Sequence, residues 1–106
     1  MAKFLIQGSY TAEGAKGLIN EGGSGRKAAV QKAVEALGGK LDSMYYIFGA
    51  NDVIVICDMP DTITGLALSL AVNASGAVRI STTPLLSVED VDAACQKTVS
   101  YRPAGS

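Results

Sequence analysis

Three groups of residues have types and spacing that could do chemistry. The first is Asn51-Asp52, which closes the segment Gly49-Ala50-Asn51-Asp52 between two apolar runs. A carboxylate beside an amide at the mouth of a sheet can orient a ligand or move a proton. Turn chemistry accounts for the same pair more simply, because Asn and Asp tolerate left-handed dihedrals and bond their own backbone. The second group is Gly22-Gly23-Ser24-Gly25-Arg26, where backbone N–H groups at a helix start and a guanidinium would suit an anion. Gly23 to Ala28 even fits Gly-x-Gly-x-x-Ala, but a dinucleotide fingerprint follows a strand, and this run follows a helical pattern. A helix-to-helix turn is the preferred account. The third group is Tyr10, Tyr45, Tyr46 and Arg79, a scattered aromatic and cationic set able to line a pocket between sheet and helices. Tyr45 and Tyr46 are consecutive in a strand and must point to opposite faces, so at most one shares such a pocket. Tyrosines of this kind more often serve a core or an interface, and Arg79 is expected to pair with Asp42 or Asp58.

The chain has no histidine. Ser-His and Cys-His nucleophilic pairs, imidazole-ligated zinc and His-ligated haem therefore cannot be built from it alone. Cys57 and Cys95 form no Cys-x-x-Cys motif and are expected to be two buried thiols, Cys57 acting as a small apolar filler with nothing adjacent to lower its pKa. No cofactor and no metal site are called for. Nine basic and ten acidic residues give a net charge of −1 with no basic block, so nucleic acid is not an expected partner. The longest apolar stretch, Leu66 to Val78, is interrupted by Ser69, Asn73 and Ser75 and is too short to span a bilayer. Only three consecutive apolar residues follow Lys3, too few for a signal-peptide core, and the expected location is the cytoplasm, away from membranes.

The elements that would position these residues follow from apolar periodicity. Lys3 to Ser9 reads as a first strand, and Thr11 caps a helix that Gly14 and Gly17 weaken by up to about 1 kcal/mol each. Glu21 to Gly25 breaks it. A second helical segment, Arg26 to Leu37, places Val30, Ala33, Val34 and Leu37 on one face and ends at Gly38. Gly39 to Phe48 and Asp52 to Met59 read as strands two and three. Pro60-Asp61 starts the next helix, with Ile63, Leu66, Ala67, Leu70 and Ala74 expected on its buried side. Ala77 to Leu86 is strand four, placed at an edge by Pro84. Ser87 begins a short closing helix carrying Val91, Ala94 and Cys95, and residues 100–106 form a tail that frays or reaches a neighbour.

The order is β-α-β-β-α-β with an appended helix, an α+β, ferredoxin-like arrangement in one domain spanning residues 1–106. Its organising feature is the stretch Tyr45 to Asp58, a β-hairpin whose second strand, Val53 to Cys57, does not alternate polar with apolar. Both of its faces are expected to be covered, one by helices of the same chain and the other by a second subunit.

Glu21-Gly22-Gly23-Ser24 with Arg26, Leu37-Gly38-Gly39-Lys40-Leu41, Phe48-Gly49-x-x-Asp52-Val53, Pro60-Asp61, and Gly76-Ala77-Val78-Arg79 with Thr82-Thr83 together resemble the GYD-domain family, from about Phe4 to Pro103. Asn51 stands where that family commonly has the tyrosine of its Gly-Tyr-Asp signature, leaving Gly49 and Asp52 as the matching positions. The resemblance implies a dimeric α/β-barrel assembly, with the sheets of two subunits packed face to face. The function expected is a small homo-oligomeric binding or interaction module, a homodimer or something larger, with a possible small-molecule ligand. The alternative is a cofactor-independent monooxygenase or isomerase, which would need Asp52, Asn51, a tyrosine or Arg79 to converge in a dry pocket.

Overall fold

Alternation along two strands decides the layering. A computed structural model describes residues 1–106 as β1 (Ala2–Tyr10), α1 (Ala12–Ala36), β2 (Lys40–Tyr46), β3 (Val53–Met59), α2 (Thr62–Ala74), β4 (Val78–Pro84) and α3 (Val88–Cys95). The strands form one antiparallel sheet in the order β2-β3-β1-β4. The class is α+β, in a layout consistent with the ferredoxin-like arrangement and its appended C-terminal helix. β4, which ends in Pro84, is an edge strand. In the centre Phe4 pairs with Cys57, Ile6 with Val55 and Gly8 with Val53. Phe4, Ile6, Val53, Val55, Cys57 and Met59 all point to the helix side and close the core with Val34 of α1. Leu5, Gln7, Ile54 and Ile56 point the other way and are only half-buried.

The first two helical segments are one element, α1, with a single break. Gly22 takes a left-handed conformation (φ 77°, ψ 166°), and Gly23, Ser24 and Gly25 rejoin the helix instead of forming the five-residue interruption expected from Glu21 to Gly25. One glycine suffices because only it enters that region without steric cost. Thr11 caps α1 by accepting from the Gly14 N–H, and its own N–H donates to the Ala77 carbonyl (3.0 Å). Gly14 lies so close to this carbonyl that a Cβ there would sit 1.7 Å from the oxygen. The first turn of α1 is thus seated on the α2–β4 connection.

α2 is rotated relative to the expected packing. Gly65 is buried and Leu68, Ser69 and Val72 are half-buried, whereas Ile63, Leu66 and Leu70 are 74%, 53% and 63% exposed. Contacts with distant residues set that rotation. A Cβ on Gly65 would meet the Phe4 ring at 2.7 Å, so the helix comes down on its glycine. Asn73 then clamps β4, donating to the Ile80 carbonyl (3.2 Å) and accepting from the Ile80 N–H (2.8 Å), and the Thr82 hydroxyl donates to Ser69 Oγ (3.0 Å). These polar contacts override the more apolar stripe.

α1 lies over β2 and β1, and α2 over β4 and β3, so a gap remains between the helices above the centre of the sheet. Past Pro84 the chain leaves the body. Leu85 donates its N–H to the Lys3 carbonyl (2.9 Å), and every residue from Thr83 to Ser106 is exposed. Of the two thiols expected to be buried, only Cys57 is; Cys95 is exposed because α3 has no layer of its own chain to pack on. No helix is long and apolar enough to cross a membrane.

Candidate ligand cleft

The gap between the helices is a cleft of ≈ 140 Å³. Ile6, Val53, Val55 and Ile80 form its floor, Ala29, Val30 and Ala33 of α1 one wall, and Leu68 and Val72 of α2 the other. Alanines at 29 and 33 keep the α1 wall low. Arg26 is the one charged residue on its surface, and Tyr10 stands beside it. A wider, more open cleft of ≈ 400 Å³ continues past these two residues toward Gly14, Gly17 and Glu21.

Three elements place polar groups at this mouth. β1 ends at Tyr10, β2 ends at Tyr46, and the restart of α1 after Gly22 presents Arg26. The Tyr46 hydroxyl donates to the Gly23 carbonyl (3.2 Å), so the break in α1 is held by the end of β2. The Tyr46 ring stacks on Phe48 with centroids 6.0 Å apart. Arg26 Nη1 pairs with Glu21 Oε2 at 3.1 Å across the break. Burial pushes the Tyr10 phenol up from its ordinary value, Tyr46 adds to the rise, and Arg26 pulls against it. Tyr10 therefore keeps its proton at neutral pH and is suited to donating a hydrogen bond.

The structure thus joins Tyr10 and Tyr46 with Arg26 and Gly23, drawn from two candidate groups that the sequence kept apart. Gly22 is a one-residue break, Gly23 and Ser24 are helical, and Arg26 is turned to Glu21. Asn51 and Asp52 lie outside the cleft. The Asp52 carboxylate accepts from the Tyr10 N–H (2.8 Å) and its N–H donates to the Gly8 carbonyl (2.7 Å), which ties the β2–β3 turn to β1. Tyr45 is on the opposite face and 65% exposed.

Arg79 is also on that face, opposite Ser9, and pairs with neither Asp42 nor Asp58. Lys3 takes both carboxylates instead, with Asp58 at 3.2 Å. Register explains this, since Lys3 is directly opposite Asp58 and Arg79 is opposite a residue six positions along β1, about 20 Å away. These contacts raise the Lys3 pKa, Asp42 being the larger cause, and lower that of Asp42.

Glu21, Ala29, Leu68 and Val72 were not singled out as site residues from the sequence. For Ala29, Leu68 and Val72 the signal is weak: small or branched side chains on helix faces that look inward only once both helices are seated. No group of three or more His, Cys, Asp or Glu side chains is placed to hold a metal ion.

The GYD-domain family model matches residues 4–95. The chain belongs to the GYD-domain family. The matched span of this GYD chain takes in the whole cleft, the Gly49 to Asp52 turn and α3, and stops before the tail. No match was found to a curated protein or to a solved structure.

Proposed function

We propose that this GYD-domain chain is a small-molecule-binding module, cytoplasmic and homodimeric, whose ligand is a compact apolar body with an anionic head. The supporting observation is the ≈ 140 Å³ apolar cleft with a single charged residue at its mouth. Apolar cavities of about 150 Å³ accept benzene, so one ring or a branched chain of similar bulk matches the space. Arg26 offers a planar donor fork to a carboxylate, and the protonated Tyr10 offers a hydroxyl beside it. The Arg26–Glu21 pair is partly exposed, and pairs of that kind contribute about 0–1 kcal/mol, little to stop a ligand carboxylate displacing Glu21.

Catalysis of the monooxygenase or isomerase type is the weaker proposal. The Asp52 carboxylate is committed to the Tyr10 N–H, and Arg79 lies across the sheet. The homodimer is proposed through the open face of the sheet, where Leu5, Ile54 and Ile56 are half-buried and Tyr45 is exposed. An apolar row of this kind favours a covering partner at about 25 cal/mol per Å².

Thermal unfolding with benzoate, cyclohexanecarboxylate, benzyl alcohol or acetate as probes tests the ligand class. A single-ring carboxylate at a hundred times its Kd should add about 2.7 kcal/mol, raising Tm by roughly 10–20 °C. Arg26→Gln should abolish the benzoate response while leaving any response to benzyl alcohol. If none of the ring compounds moves Tm, the proposal is wrong.

A further inference from the structure

We infer that the C-terminal arm, residues 85–106, is an assembly element that packs on a second copy of this chain. It carries Leu86, Val88, Val91, Val99 and Tyr101, all exposed, with Val88 at 74% and Val91 at 51%. Nothing in its own chain covers them.

Two physical observations require a partner. α3 has eight residues, and isolated helices shorter than about 12–15 residues are marginal in water even when well capped. Its Ser87–Asp90 capping box satisfies the first turn but supplies no packed face. The dimensions agree. The radius of gyration is 17.0 Å against about 13 Å for a closed domain of this length, and the molecule extends 56 × 33 × 22 Å. Its accessible surface is 7213 Å², whereas a closed monomer of 10.9 kDa exposes about 5,600 Å². The excess, about 1,600 Å² per chain, is roughly twice what each partner buries in a standard interface. Such an area fits a permanent dimer.

Position and charge select a second copy as the occupant. The arm leaves from edge strand β4, and Leu85, opposite Lys3, continues the open face that carries Leu5, Ile54 and Ile56. A copy docked on that face meets the root of the arm. Arg79 is exposed on the same face with no carboxylate partner in its own chain, while α3 carries Glu89 and Asp92, neither in an ion pair, and no basic residue. Each copy therefore offers what the other leaves unpaired. This inference is independent of any ligand in the cleft.

Because the arm packs on nothing in its own chain, substitutions there leave the body's fold untouched, and any effect on stability or mass passes through another molecule. The test combines sedimentation equilibrium with maleimide labelling of Cys95 in concentrated and dilute protein, the buried Cys57 serving as an internal control. The full chain should be a dimer whose Cys95 labels slowly when concentrated and fast when diluted. Val91→Asp should raise the dimer Kd by at least about tenfold and make Cys95 label fast at every concentration. Unchanged Kd and labelling in Val91→Asp would overturn the inference. So would a dimer whose Cys95 labels at the rate of a free thiol, which would leave the sheet face alone as the interface. A monomer with Cys95 protected at all concentrations would mean that the arm folds back on its own chain, and would overturn it equally.

Discussion

The two faces of the sheet are made from the same strands and carry similar side chains, yet they stand in different situations. On the helix side Phe4, Ile6, Val53, Val55, Cys57 and Met59 are buried, and Val34 of α1 completes a core with no buried unpaired polar atom. On the other side Leu5, Ile54 and Ile56 are half-buried beside Lys3, Asp42, Asp58 and Arg79, and the arm starts from their edge. A strand that is apolar on both sides therefore serves two purposes. Its inner row builds the core, and its outer row is the one the proposed homodimer would cover. The two rows should respond differently to substitution and to dilution.

The largest effect belongs to the inner layer at α1. Gly14→Ala places a methyl group 1.7 Å from a backbone oxygen that cannot move without breaking the hydrogen bonds it accepts from Thr11, so a loss beyond about 4 kcal/mol, or no folded protein at all, is expected in urea unfolding. Gly17, three residues on in the same helix, has nothing within 4 Å of an added Cβ. Gly17→Ala should gain up to about 1 kcal/mol. Equal effects at the two sites would contradict the seating of α1 on the α2–β4 connection.

The comparison of faces is sharpened by Met59→Ala against Ile56→Ser. Met59 is wholly buried, and its truncation should cost about 2–5 kcal/mol regardless of protein concentration. Ile56→Ser should cost dilute protein only about 1 kcal/mol, as for a half-buried strand position, but lower Tm further in concentrated protein, where the proposed partner would be lost. A concentration-independent loss for both would place the two faces on the same footing.

The smallest effect is alkaline. Tyr10 has its phenol pushed above the ordinary value of 10.0 by burial, so the folded state holds that proton more tightly than the unfolded state does. Its contribution is complete below pH 10 and is lost as pH rises through the higher, folded value. Tyr10→Phe should make the fall in unfolding free energy above pH 10 shallower. Lys3 and Cys57 are raised as well, Lys3 by its carboxylate partners and Cys57 by burial, and they add losses of the same sign. The difference between the Tyr10→Phe variant and its parent isolates Tyr10. An identical slope in the two would mean that the phenol is fully solvated.

Much of the body was legible because its signals are local. Thr11, Asp61 and Ser87 each precede a helix and each accepts from a backbone N–H of the first turn. Gly38 stands just past α1 in the left-handed conformation that terminates helices, with φ 82°. Pro84 marked an edge strand, and consecutive tyrosines had to part to opposite faces. α2 misled for a physical reason. Hydropathy counted Ile63, Leu66 and Leu70 as inward, whereas the Phe4 ring beneath Gly65 and the Asn73 clamp on Ile80 turned them out. The candidate site was half legible for the same reason. Tyr10, Tyr46 and Arg26 could each be named, but not that they meet, because their meeting depends on a single-residue break at Gly22.

The order of residues by itself determined the succession of elements, their caps, and the family of the chain, since each depends on neighbours a few positions apart or on a pattern spread along its length. The rotation of α2, the gap that makes a cleft, the sharing of Lys3 by two carboxylates and the isolation of the arm were decided only in three dimensions. These features come from contacts between residues far apart in sequence, such as Gly14 on Ala77 and Gly65 on Phe4, whose close fit has no counterpart in periodicity or composition.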